Sequence, residues 1–109
     1  MKKDFSELHN TATQAAVEAC QAVEERHGGQ FAWPCGFAWV NVSPATQPFA
    51  RWLKKEGIVE SRSWQGGYDI WNPSNHPTQS MDAKEAGARA YAKVLQAEGI
   101  HAYAQSRMD

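Results

Sequence analysis

The segment Cys35-Gly-Phe-Ala-Trp-Val-Asn-Val42 constrains this chain more than any other stretch of it. Side chains alternate sides along a strand, so Cys35, Phe37 and Trp39 point one way and Ala38, Val40 and Val42 the other. A strand that is apolar on both faces belongs in a sheet covered on both sides. The chain's own helices supply one cover. The other is the first helix, a ligand or a second subunit. A fold built around this strand has to combine helices with a sheet and to place a row of large aromatic rings.

The remaining patterns supply its neighbours. Residues 4–27 read as a helix, with Phe5, Leu8, Ala12, Ala15, Ala16, Ala19 and Val23 recurring at three- and four-residue steps. Asp4 is its N-cap candidate and Gly28-Gly29 its stop. After Ser43-Pro44, Thr46 caps a short helix to about Glu56, with Phe49, Trp52 and Leu53 inward. Ile58–Trp64 and Tyr68–Asn72 read as a hairpin around Gln65-Gly66-Gly67. Pro73 to Gln79 is a loop. Ser80 caps a helix to about Glu98, with Ala83, Ala86, Gly87, Ala90, Tyr91, Val94 and Leu95 inward and Gly99 as its stop. Ile100–Met108 alternates as a last strand, with Ala102, Ala104 and Ser106 on one face and Tyr103, Gln105 and Arg107 on the other. The expectation is one α+β domain over residues 1–109. An N-terminal helix precedes a β-α-β-β-α-β order that makes a four-stranded, mainly antiparallel sheet with helices packed on it, as in ferredoxin-like domains.

A net charge of −1 gives no global pull toward duplex nucleic acid or an anionic membrane. No apolar run reaches the roughly 20 residues of a membrane span, and Met1-Lys-Lys-Asp4 opens an amphipathic stretch rather than a signal peptide. These features lead to an expectation of a cytoplasmic protein. Its two cysteines, Cys20 and Cys35, read as reduced, buried small hydrophobes.

Chemistry-bearing patterns are sparse. His9, His27, His76 and His101 show no metal-ligand spacing, and there is no Cys-x-x-Cys. Neither cysteine sits at a helix start beside a base, and no Gly-x-Ser-x-Gly, Walker or Rossmann pattern occurs. The expectation is binding without catalysis, metal or cofactor. The most site-like stretch runs from Trp71-Asn72-Pro73 to Gln79-Ser80, where a strand end meets a helix start. The free N–H groups of a helix N-terminus attract phosphate. Trp71 and Tyr68 offer flat faces to a base, and Asn72, Gln79 and Ser80 offer hydrogen bonds. The plain alternative is a capped helix after an ordinary loop, with Trp71 in the core. Arg51, Lys54 and Lys55 share a flank of the short helix. Arg107 stands on the last strand, where its planar guanidinium suits phosphate. Phe37, Trp39, Trp64, Tyr68 and Trp71 interleave on strands as in domains that stack single-stranded bases, though without the basic-glycine-aromatic run of RNA-recognition domains.

Taken together, Cys35-Gly-Phe-Ala-Trp-Val, Phe49 with Trp52-Leu53-Lys54-Lys55, Gly66-Gly67-Tyr68-Asp69-Ile70-Trp71, Gln79-Ser80-Met81 and Ser106-Arg107-Met108-Asp109 resemble small phage proteins, in particular the anti-Thoeris sponges that sequester cyclic ADP-ribose signals. The resemblance covers about residues 35–109. It implies a non-enzymatic homo-oligomer that holds an intact cyclic nucleotide, or in some members cyclic oligonucleotides, in pockets between subunits, to block host anti-phage defence. By residue type, Arg51 or Arg107 would meet phosphate, Trp71 would stack, and Asn72, Gln79 and Ser80 would make polar contacts. Two other readings stand beside it: a phage inhibitor that occludes a host defence protein, and a single-stranded nucleic-acid binder.

Overall fold

The computed structural model describes residues 4–26, 36–75 and 81–108. Its elements are α1 (Phe5–Arg26), β1 (Gly36–Val42), α2 (Pro48–Lys55), β2 (Tyr68–Trp71), α3 (Met81–Ala97) and β3 (Ala102–Met108). The expected Cys35 strand start, Gly28-Gly29 helix stop and Ser80 cap lie outside the described residues, as do Gln79, His27 and His76. No helix among the described residues is long and apolar enough to cross a membrane.

The strands form one antiparallel sheet in the order β2-β1-β3, with β1 in the centre. Trp39 lies opposite Trp71 on one side and Gln105 on the other, and Phe37 lies opposite Arg107. The mixed helix-and-sheet expectation holds, but among the described residues the sheet has three strands. The residues expected as a fourth, Ile58–Trp64, run as turns, bends and irregular backbone. Val59 alone in that stretch is buried, while Glu60, Ser61 and Arg62 are exposed, so the segment has no apolar face to lay on a sheet. The expected turn does form, closed by bonds from Ser63 N–H to Gly67 O (2.8 Å) and from Gly66 N–H to Ser63 O (3.0 Å).

A single parity of strand residues enters the core. Ala38, Val40 and Val42 of β1, Tyr68 and Ile70 of β2, and Ala102 of β3 pack in one cluster with residues of all three helices. These include Leu8, Ala12 and Ala16 of α1, Phe49, Ala50 and Leu53 of α2, and Ala88, Tyr91, Ala92 and Leu95 of α3. All three helices therefore lie on one face of the sheet. The small side chains along α1 and α3 let these helices lie close together over it. Burying each Leu, Val or Phe of this cluster contributes about 1.5–3 kcal/mol. Cys20 is buried in a second cluster with Val23 and Ala83, and burial pushes its thiol pKa up.

Two local expectations change. α3 buries Ala88 and Ala92, while Ala86, Ala90 and Val94 are only half-buried, because the helix meets α1 on one side and the sheet on another. The α2 cap position is Gln47 rather than Thr46, with Pro48 opening the helix. Gln47 makes no cap bond; its side-chain amide donates instead to the carbonyls of Ser43 and His101 (3.1 Å to the latter), tying the α2 entry to the residue that leads into β3. α1 starts as expected, with the Ser6 N–H donating to Asp4 Oδ1 at 2.8 Å.

Gly67 turns the chain into β2 at φ +70°, where a Cβ would collide with the Val42 carbonyl and with Ser43. Gly99 has a similar φ of +77° but open space around it. Gly99→Ala should cost about 1–2 kcal/mol, the left-handed penalty alone. Gly67→Ala should cost clearly more, and urea unfolding midpoints of the two variants would show the difference.

Candidate functional site

The strand residues of the other parity form a face that no helix among the described residues covers. In rows across the sheet they run Phe37–Arg107, then Trp71–Trp39–Gln105, then Asp69–Asn41–Tyr103. Trp71 is 54 % exposed, Tyr103 53 % and Phe37 39 %. Trp71 is therefore a surface ring and not a core one. Its ring centroid lies 4.6 Å from that of Trp39 in a tilted stack, and 6.5 Å from Phe37 edge to face. Such offset and edge-on pairs are favoured between ring quadrupoles, so the three rings hold one another as a platform.

Each end of the platform has its own polarity. At the Phe37 end, the Arg107 guanidinium carbon lies 5.7 Å from the Phe37 centroid and Lys84 Nζ 5.4 Å from it. Lys84 comes from α3 and also donates to Gly36 O at 3.0 Å. At the other end the buried Asn41 amide donates to Asp69 Oδ1 and to Gly66 O, both at 2.9 Å, and so anchors the 63–67 turn onto the face. Gln105 joins the middle row to the 63–67 turn. Its Oε1 accepts from Trp39 Nε1 at 2.7 Å and from Gln65 Nε2 at 2.6 Å. These bonds fix the tilt of the Trp39 indole.

Beside the platform, along the free edge of β2, runs a groove of about 690 Å³ between that strand, α1 and residues 57–64. Trp64, 95 % exposed, and Trp71 line it, and so do Arg62, His9 and Thr13. Thr13 Oγ1 is buried there with no hydrogen-bond partner among the described residues. His9 Nδ1 bonds to the hydroxyl of the fully buried Tyr91 at 2.7 Å, and its ring leans on Trp52. Burial holds the His9 imidazole below its ordinary pKa of 6.5 and pushes the Tyr91 phenol well up. Among the described residues, no three His, Cys, Asp or Glu side chains come together as a metal site.

The structure brings Trp71 and Arg107 onto the same face and leaves Arg51 apart. Arg51 is exposed on α2, on the helix side of the sheet, in a shallow depression with Phe5, Pro48, Trp52 and Lys55. Asn72 stands at the end of β2 at φ +43°, where its carbonyl accepts from Asn75 N–H (2.8 Å) and its Oδ1 from Ser74 Oγ (3.2 Å). It shapes the turn next to Trp71. Gln79 and Ser80 lie outside the described residues. Tyr68, read as a second flat face, points into the core. Residues not singled out from the sequence are Lys84, Gln65 and Gln105. The alternation of β3 does signal Gln105, which shares a parity with Arg107; Lys84 and Gln65 come from distant segments and carry no such mark.

Comparison with family models, with curated proteins and with solved structures finds no match to this chain.

His9 yields a pH prediction. Its folded pKa is depressed, so the unfolded chain binds the proton more readily. The stability that comes with a neutral His9 is present above about pH 6.5 and is lost as pH falls toward and through the folded value. His9→Gln should therefore lose less stability than the native chain between about pH 7 and pH 5 in chemical denaturation. Equal losses would show that His9 does not set the slope.

Proposed function

We propose that the open face of the sheet captures a nucleotide and holds it without converting it. The observation that carries this reading is the exposed Trp39–Trp71–Phe37 platform with two cations, Arg107 and Lys84, gathered at one end. A base stacks on the indoles, a contact worth about 1–3 kcal/mol for each base. The phosphate lies toward Arg107, whose planar donor fork matches its oxygens. Rings and cations so placed bind such a ligand by stacking and charge. Together with the resemblance to anti-Thoeris sponges, this supports reading the chain as a phage-encoded protein of the host cytoplasm. It sequesters a cyclic nucleotide immune signal, of the cyclic ADP-ribose type or a cyclic oligonucleotide, from the host's defence.

A second reading draws on Trp64. An almost wholly exposed Trp at a turn tip is unusual on a surface with no partner, and such rings anchor protein interfaces. In that reading the chain occludes a host defence protein.

Thermal denaturation against a panel of cyclic ADP-ribose isomers and cyclic oligonucleotides separates the two. The first reading expects one ligand to raise Tm with concentration and to be recovered unchanged after heating. Trp71→Ala should weaken binding roughly tenfold to a hundredfold. Arg107→Glu should weaken it further, and Arg51→Ala should leave it unchanged. A panel without any shift refutes nucleotide capture. Recovery of a cleaved product would make the protein an enzyme.

A further inference from the structure

β3 forms one edge of the sheet, and two hydrogen bonds fix which of its backbone groups face outward. The Asn72 N–H donates to Ala38 O (2.9 Å), so the even-numbered residues of β1 bond to β2 and the odd-numbered ones to β3. The bond from Ser43 N–H to His101 O (3.3 Å) agrees with this on the β3 side. On β3, then, Tyr103, Gln105 and Arg107 bond inward to β1. The N–H and C=O groups of Ala102, Ala104, Ser106 and Met108 point out of the sheet. Gln96 Nε2 takes the Ala102 carbonyl at 2.7 Å. Of the features that usually keep edges apart the strand carries one, the charged Arg107 on its open face. It has no proline, its seven-residue pairing with β1 is unbroken by a bulge, and no charged side chain turns toward the helices.

We infer that β3 pairs antiparallel with β3 of a second copy of this chain, about a two-fold axis at Gln105. This goes beyond the nucleotide reading and stands without it. In this register Ala104 faces Ser106 of the partner subunit, and Ser106 faces the partner's Ala104, so outward donors meet outward acceptors on both strands. A shift by one residue would set outward groups against groups already bonded to β1. A shift by two would leave two residues of each strand unpaired. The centred register brings every residue of the strand opposite one of the partner, with the two Ala104–Ser106 pairs open on both sides and the Ala102 carbonyls shared with Gln96. The exposed ring of Tyr103 meets the partner's Arg107, twice by symmetry, as a cation over a ring. On the helix side, the exposed Met108 lies at the position opposite the partner's Ala102, which is itself buried in its own core. α3 contacts both β1 and β3, so about two strand spacings, roughly 10 Å, separate the two α3 axes. That is an ordinary helix-packing distance. The sheet becomes six-stranded, its aromatic face runs across the axis, and each copy's face gains a guanidinium from the other beside Tyr103 and Asn41.

Gln105→Cys tests the axis. Residues at a non-hydrogen-bonded antiparallel position stand about 4.5 Å apart at Cα, within disulfide range. The variant should form a covalent dimer under mild oxidation. Ser106→Cys, on the opposite face and off the axis, should not. Sedimentation of two further variants reads the side-chain pairing. Tyr103→Arg, set against the partner's Arg107, should weaken the dimer by about tenfold or more, and Tyr103→Glu should hold or tighten it. The inference is overturned by a monomeric native chain at every concentration, by cross-linking through Ser106→Cys in preference to Gln105→Cys, or by equal weakening in both Tyr103 variants.

Discussion

The alternation along β1 decides which face of the sheet the helices take. Ala38, Val40 and Val42 make a low surface, and α1, α2 and α3 all contribute to the cluster that buries it. Phe37 and Trp39, on the other side, stand too tall for an alanine-faced helix to come close. The consequences follow in order. With every helix on one side, the other face keeps its rings; β2 sets Trp71 beside Trp39, and β3 sets Gln105 and Arg107 beside Trp39 and Phe37. The candidate site is thus the unburied half of the strand pattern that makes the core.

What holds the exposed half in shape is polar. Gln105 accepts from the Trp39 indole and from Gln65, while Asn41 ties down Gly66 and Asp69. Each of these bonds spans strands or joins the sheet to the 63–67 turn. The rings are therefore oriented before any ligand arrives, which lowers the ordering cost of binding. The cations sit at one end because Arg107 and Lys84 reach the same Phe37 ring from different elements. A flat ligand with an anionic tail finds its two halves of recognition a few ångströms apart.

Much of this was legible from residue order where burial follows a strict period. The parities of 35–42 and 102–108 assigned each described side chain to its face, and three- and four-residue steps found Leu8, Ala12, Ala16, Val23, Phe49 and Leu53, while Phe5, Ala15, Ala19 and Trp52 are only half-buried and the buried Ala50 was not among those read as inward. The reading failed where period and burial part company. Ile58–Trp64 has β-branched and aromatic ends, yet its polar middle leaves nothing to bury, and it peels away from β2. Tyr68 and Trp71 look alike as flat rings, and only the register, three residues apart on an alternating strand, sends one inward and the other out. Arg51 and Arg107 look alike as phosphate partners. The side of the sheet on which each element lies separates them, and no local pattern encodes that side. Lys84 and Gln65 were invisible for the same reason.

The central claim is that a planar, anionic ligand rests on the face the helices leave open. Indole N–H resonances in a nitrogen–proton correlation spectrum test it most directly, because the three described strand and helix tryptophans sit on known sides. Titration with a cyclic ADP-ribose isomer should move the Trp39 and Trp71 signals together and leave Trp52, on the helix side against Phe49, in place. Movement of Trp52 with Trp39 and Trp71 unchanged would put the ligand on the wrong side of the sheet and contradict the account.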